Sequence, residues 1–465
     1  MKKITLLLSL VLILALAQAT AFAQTTDTIS VRIDSVGVEF SEDTGMPFVD
    51  ENGRTLVPFR KALEAYGANV EWDNDNRIAT AVKDDTTVEV PIDQDYIIVN
   101  GEQKANDTAA KIVNSKTYLP IRAVVEAFGS SVEWDQNLKT VVIATEPVDA
   151  ETILKEATNK SYDWKNYDAD ILVNMSIPVA DDAGSVQSVD MDMKMYMTIF
   201  MEPALKAKIN SNIVMNVMDQ EITQPVMDMY MVSDDTTFTT YMGIKDQDDS
   251  TTWMKSEYED EMFSGLLKYN AETIKANQEL SEKYIKDIKY FGKYEDESGK
   301  SMLRMQYTLS NEIFKDIFGE YIDEMSASEN EQDILTAEMI KGLADGGIGD
   351  LVYIVYIDEE SGEIVKYEAD LGSLVLSMMD NMTAMMGEVP QSELEMLKQM
   401  KATMQMEIKN INEAEDFEIP EEALNATDIS EMMQELEDQI EAETETDAET
   451  AVETETTEPE EDTIQ

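Results

Sequence analysis

The feature that most constrains this chain is an internal repeat with constant, gap-free register. Arg54-Thr55-Leu56-Val57-Pro58-Phe59-Arg60 recurs as Lys116-Thr117-Tyr118-Leu119-Pro120-Ile121-Arg122. Glu64-Ala65-Tyr66-Gly67 recurs as Glu126-Ala127-Phe128-Gly129, and Val70-Glu71-Trp72-Asp73 as Val132-Glu133-Trp134-Asp135. Each residue type has a local reason. A short apolar strand runs into Pro58 or Pro120, whose fixed φ suits a helix start and whose missing N–H is not needed there. One or two helical turns follow, with Ala62, Leu63 and Tyr66 (Val124, Val125 and Phe128 in the second copy) on one face. Gly67 and Gly129 stand where a helix ends in a left-handed residue. A strand carries Trp72 or Trp134, a polar turn follows (Asp73-Asn74-Asp75-Asn76 or Asp135-Gln136-Asn137), and a further strand runs Ile78–Val82 or Thr140–Ala144. Asn100-Gly101 between strands signals a hairpin. The unit is strand–helix–strand–strand, made twice and packed together.

Upstream of the repeat, Lys2 and Lys3 precede a largely apolar run from Ile4 to Ala17 and the small-residue ending Ala21-Phe22-Ala23. That is the order of a secretory signal peptide, with cleavage expected after Ala23. The competing reading, a membrane anchor, needs roughly 20 apolar residues, and this run is shorter. The chain contains no histidine and no cysteine. Disulfides and lipidation at a cysteine are therefore unavailable. Zinc and copper sites built on imidazole or thiolate are excluded, as is Ser-His-Asp or Cys-His catalysis. Carboxylate chemistry and oxygen-ligated cations remain open. With 96 acidic against 35 basic residues, the chain repels nucleic acid and anionic membrane surfaces.

Beyond a short linker, Glu146-Pro147-Val148-Asp149, the pattern changes. A helix is expected at Ala150–Thr158. Met191, Met193, Met195 and Met197 alternate with Asp192, Lys194 and Tyr196, and Met227, Met229 and Met231 alternate with Asp228 and Tyr230. Period two places these methionines on one face of strands. Further strands are expected at Thr237–Met242, Ile285–Tyr294, Met302–Leu309, Leu351–Ile357, Ile364–Ala369 and Met404–Ile411. Helices are expected at Tyr258–Leu280, Asn311–Met325 and Gln332–Ala344, and the spacing from Val375 to Met386 is helical. After Ala426 the chain is acidic, and no Lys or Arg follows Lys409. Such a segment buries too little apolar area to offset its ordering entropy.

The repeat resembles that of the copper amine oxidase N-terminal domain family, also called stalk domains, over roughly residues 29–145. Both copies keep the Pro, Arg, Gly and Trp. The resemblance implies an accessory module for attachment or spacing, since the catalytic oxidase needs histidine ligands for copper. Asn166-Tyr167-Asp168 is similar to the cofactor-forming tyrosine motif of those enzymes but lacks the ligands that would drive its chemistry. The second region resembles exported bacterial domains with a fold like the lipoprotein carriers LolA and LppX. The Tyr-Met…Trp-Met-Lys hairpin near Tyr241–Lys255 and the ending Asn412-Glu413-Ala414…Phe417-Glu418-Ile419-Pro420-Glu421-Glu422-Ala423 carry this likeness. It implies a half-open barrel whose relatives hold acyl chains between sheet and helices.

The expected fold class is α+β: a small duplicated α/β stalk module, then a curved antiparallel β-sheet (half-barrel) covered by helices, then a disordered acidic tail. The divisions are residues 1–23 (signal peptide), 24–146, 150–426 and 427–465. Met191, Met193, Met195, Met197, Met227, Met229 and Met231 are the candidate apolar lining. Thioethers fill irregular core gaps, accept irregular apolar ligands or bind Cu(I), and alternation fits the first two equally. Arg60 and Arg122 read as ligand-binding cations or, more simply, as partners of nearby carboxylates or backbone. Trp72 and Trp134 read as core residues or as platforms for sugars. With Pro58, Gly67, Pro120 and Gly129, they form the repeat motif. Asp73-Asn74-Asp75-Asn76-Arg77 fails the calcium-loop pattern at Arg77.

No cofactor or metal site is expected. The leading expectation is an exported, non-catalytic cell-envelope protein with an adaptor module and a second domain binding an apolar ligand or partner. The alternative is a purely structural or interaction protein of the wall with a solid Met-rich core. A carboxylate-based wall hydrolase is a third class. The expected partners are a cell-wall polymer or envelope protein, and a lipid or other apolar small molecule. Nucleic acid is excluded, and no span is expected after signal cleavage.

Overall fold

The computed structural model describes residues 28–429, apart from 181–185, 218–219, 234–236, 246–249, 260–270, 297, 329–333, 335–336, 339–340, 342–348, 373 and 375–399. The expected signal peptide, the helical spacing through Met386, most of Gln332–Ala344 and the acidic tail lie outside the described residues.

The two copies of the repeat meet through their first strands. Thr55–Pro58 and Lys116–Pro120 run antiparallel, with Pro58 opposite Tyr118, Val57 opposite Leu119 and Leu56 opposite Pro120. Equivalent segments thus face each other across a local two-fold. Neither copy covers its own apolar face, so Val57, Leu63, Leu119, Val124 and Val125 merge into one core. The helices Phe59–Ala65 and Ile121–Ala127 follow the prolines. They end at Gly67 (φ +89°) and Gly129 (φ +90°). An added Cβ at either glycine would meet nothing within 4 Å, so glycine is required there by backbone conformation alone.

The copies then diverge. The first continues into a five-stranded meander through Asn69–Asp73, Ile78–Lys83, Thr86–Pro91, Tyr96–Val99 and Glu102–Ala105. Asn100 and Gly101, both at positive φ, make its last turn, as expected of a two-residue hairpin loop. The second copy forms the hairpin Ser131–Asp135 and Thr140–Ala144, and Ser30–Ile33 joins it in parallel.

The second region is built on one curled half-barrel sheet. Its strand order is Ile285–Glu295, Ser301–Leu309, Leu351–Asp358, Ile364–Asp370, Lys401–Lys409, Asn166–Ala180, Val186–Phe200, Lys206–Val217, Gln220–Ser233, Thr237–Lys245, Thr251–Glu259 and Thr427–Asp428. The first long strand of the domain therefore pairs with the last one at the sheet's middle. Alternate residues point inward to a single core. Helix Ala150–Ser161 supplies Leu154 and Ala157 to it, and helix Ile313–Ser326 supplies Phe318 and Ile322. Asp149 caps the former by accepting from Thr152 N (3.0 Å) and Oγ1 (2.8 Å). Those bonds, the backbone one first, hold its carboxyl below the usual carboxylate range.

Several boundaries differ from expectation; the strand expected at Met404–Ile411, for example, is Lys401–Lys409. The helix expected from Tyr258 begins later, because Tyr258 and Glu259 still pair with Phe238 and Thr237; its described part is Ala271–Tyr284. The chain beyond Lys409 crosses the outer face of the sheet. There Phe417, Ile419 and Ala423 pack on Tyr230, Tyr241 and Trp253. Thr427 and Asp428 then pair with Met254 and Lys255, so the sheet runs past Ala426.

Candidate functional site

The methionine stripes are strands, and they share the inner face. Met195 lies in register with Ile171, which pairs on its other side with Met406. Across the sheet, Met195 pairs with Ser211, and Ser211 pairs with Met227. One row thus crosses five strands and carries a thioether on three of them, with Ile171 and Ser211 between. Burial is graded along that face. Met195, Met197, Met229 and Met231 are buried within the main core. Met193 and Met227 are only partly buried against it, and Met191 is half-buried. Met305, Met404 and Met406 belong to the same core and extend the lining beyond the residues singled out from sequence. The alternation of Met404 and Met406 was a signal for two of them. Tyr167 of the Asn-Tyr-Asp motif is a core residue, edge-on to Trp164 at 5.3 Å between ring centroids.

The repeat motif builds two equivalent surface grooves. One, of about 630 Å³, is lined by Pro58, Arg60 and Trp72 of the first copy and by Ser115, Lys116 and Thr117 of the second. The other, of about 910 Å³, is lined by Pro120, Arg122 and Trp134 and, across from them, Gly53, Arg54 and Thr55. Each groove is shared by both copies, because the two first strands pair antiparallel across the two-fold. The arginines are held alike. Arg60 Nη1 donates to Val70 O (3.3 Å) and lies 3.4 Å from Glu64 Oε1. Arg122 Nη1 donates to Val132 O (2.6 Å) and lies 3.5 Å from Glu126 Oε1. Each guanidinium ties its helix to the strand that carries the tryptophan. Trp72 and Trp134 are half-buried, packed on the module core from one side and lining the groove on the other. Trp134 Nε1 donates to Gln136 Oε1 (2.7 Å).

A third feature joins the two regions. Arg304, 1 % exposed, projects from the outer face of Ser301–Leu309 into the second copy of the repeat. Its Nε and Nη2 donate to the two carboxylate oxygens of Asp135 at 2.9 and 3.1 Å. Its Nη1 donates to Tyr356 Oη (3.1 Å) and Glu368 Oε2 (3.3 Å). Tyr356 in turn donates to Glu368 Oε1 (2.9 Å). The Phe291 and Tyr356 rings lie 5.6 and 5.2 Å from the guanidinium carbon. Burial opposes the Arg304 charge, but Tyr356, Asp135 and Glu368 outweigh it, and its pKa rises. Val142 packs beside this network with Phe291, Met302 and Ile354. Arg32 donates to Lys293 O (2.8 Å) and Lys293 N to Ser35 Oγ (2.7 Å). Gly292, at φ +84°, allows that approach, since a Cβ there would sit 3.2 Å from Ser35 Oγ.

Comparison with known families divides the chain at the same place. Residues 34–143 match the copper amine oxidase N-terminal domain, which is the non-catalytic domain of those enzymes. Residues 149–360 match a family of unknown function, DUF6612. No curated protein matches the chain significantly.

Proposed function

We propose that this chain is an exported, non-catalytic cell-envelope protein. Its duplicated module acts as adaptor or stalk, and its half-barrel binds an apolar ligand or partner in the manner of LolA-like carriers. The observation that carries this reading is the graded burial of the methionine face. Met195, Met197, Met229 and Met231 are packed as a core would be, whereas Met191, Met193 and Met227 on the same face are only partly covered. Pliable thioethers suit an irregular apolar guest, and the half-covered end is where one would enter. The buried network around Arg304 supports the adaptor role, since it holds the module firmly against the carrier domain. The signal-peptide pattern at the start of the chain supports export.

Extraction of the purified protein followed by mass spectrometry tests the reading. A co-purified apolar molecule is expected, and replacing Met191, Met193 and Met227 together with Gln is expected to remove it while the protein stays folded. Met229→Ala, by contrast, is expected to destabilise the fold by about 2–5 kcal/mol without selectively removing the guest. Complete absence of a co-purified apolar molecule favours the second reading, a structural protein with a solid Met-rich core. The burial of Met195, Met197, Met229 and Met231 is the observation on that side.

A further inference from the structure

We infer that the two grooves of the N-terminal module are equivalent binding sites for an anionic polysaccharide, one site per repeat. The inference deepens the adaptor reading by naming the chemistry of its partner.

Charge is the first argument. Acidic residues outnumber basic ones nearly threefold in the whole chain. In the first groove the balance reverses: Arg60, Lys61 and Lys116 face Asp43 and Glu64. The second is also lined by three cations, Arg54, Arg122 and Lys139, against Asp107 and Glu133, with Arg54 Nε held 2.6 Å from Asp107 Oδ2. Arg54 and Lys116 are equivalent positions of the repeat, so a cation is present at that point in both copies. In the first groove neither Lys61 nor Lys116 has a carboxylate partner among the described residues, which leaves both ammonium groups for a ligand's anions. A local positive field on a strongly acidic protein attracts anions and repels the protein's own kind.

The tryptophans supply the second argument. An indole packed on the core from one side and open to a groove on the other presents a rigid flat apolar face with little entropy left to lose. A sugar ring offers a matching face of C–H groups, and its carboxylate or phosphate substituent reaches the neighbouring cation. An acidic peptide would satisfy the cations but has no regular use for a flat platform at the same place in both grooves. Duplication is the third argument. A polymer of one repeating unit is matched by a module that presents the same site twice in fixed geometry, which strengthens attachment without new contacts.

Titration calorimetry of the full chain with a short oligogalacturonate tests the inference. Two sites per chain are expected. Trp72→Ala and Trp134→Ala should each leave one, and the double variant none. Lys116→Glu and Arg54→Glu, both on the groove rims, give an independent pair that leaves the core untouched and should show the same pattern. Neutral dextran should not bind. Polyglutamate bound equally well, and indifferent to the tryptophan changes, would overturn the inference in favour of an acidic peptide. Sedimentation with purified bacterial cell wall separates the two levels of the argument. A chain that sediments with wall but ignores oligogalacturonate refutes this ligand class and leaves the adaptor standing; one that does neither refutes both.

Discussion

Asp73 and Asp135 close the same turn in the two copies of the repeat, yet they serve different ends. Asp73 accepts from the backbone of Asp75 and Asn76 and from the Asn76 side chain, all in solvent. The Asn76 backbone bond, with its side-chain bond next, holds the Asp73 carboxyl below the usual range. Asp135 makes the corresponding turn bonds to Asn137 and Leu138, and it also receives the guanidinium of Arg304. One copy kept its turn as a turn. The other turned the same carboxylate into half of a buried ion pair without altering the local motif. A repeat can thus specialise by what is brought to it.

The largest test of that contrast is Arg304→Ala. It strands Asp135 in the interface without its counter-charge and leaves Glu368 to Lys366 alone, and urea denaturation should report a loss of about 3–5 kcal/mol. Asp73→Ala in the same assay should give a far smaller change. If the two variants lose equally, the interface is not what distinguishes the copies. Next in size come Gly67→Ala and Gly129→Ala. Both glycines have the same φ and free space around them, so each should cost at least about 1 kcal/mol. Equal losses would show that the helix ends, unlike the turns, have stayed alike.

The smallest effect concerns Glu133, half-buried beside the interface. Burial pushes its carboxyl up, against the pull of Lys289 and Arg122. A raised folded pKa means that the charged form is disfavoured. The resulting penalty applies above the folded pKa and is relieved as pH falls through it. Glu133→Gln should therefore stabilise by under about 1 kcal/mol at neutral pH, and the gain should vanish in acid. Glu71→Gln, at the exposed equivalent position, is the surface control and should change stability little. Thermal melts at two pH values read both variants.

The sequence carried the repeat, the strand–helix–strand–strand unit and the strand character of Met191 through Met197, because each is written in local periodicity or in matching segments. The equivalence of Arg54 and Lys116 was also visible, but not that each lies across a groove from the other copy's tryptophan. That follows only from the antiparallel meeting of the two first strands. The Arg304 network was invisible for a similar reason. Met302, Arg304 and Gln306 alternate with inward residues and look like an ordinary solvated face, until a module contributed from far upstream covers it. The start expected for the helix at Tyr258 was misplaced because strand pairing with Phe238 decided those first residues, and pairing is not a local property.

The meeting of Asn166–Ala180 with Lys401–Lys409 bears on how the protein is made. Asp170 and Lys409, 239 positions apart, touch across this seam. A chain synthesised from its amino end holds the central strand with one bare margin until nearly the whole domain has emerged. Such distant closure is slow, and an uncovered margin invites pairing with other chains. Fragments ending before Lys401 should therefore clump rather than give a smaller working barrel.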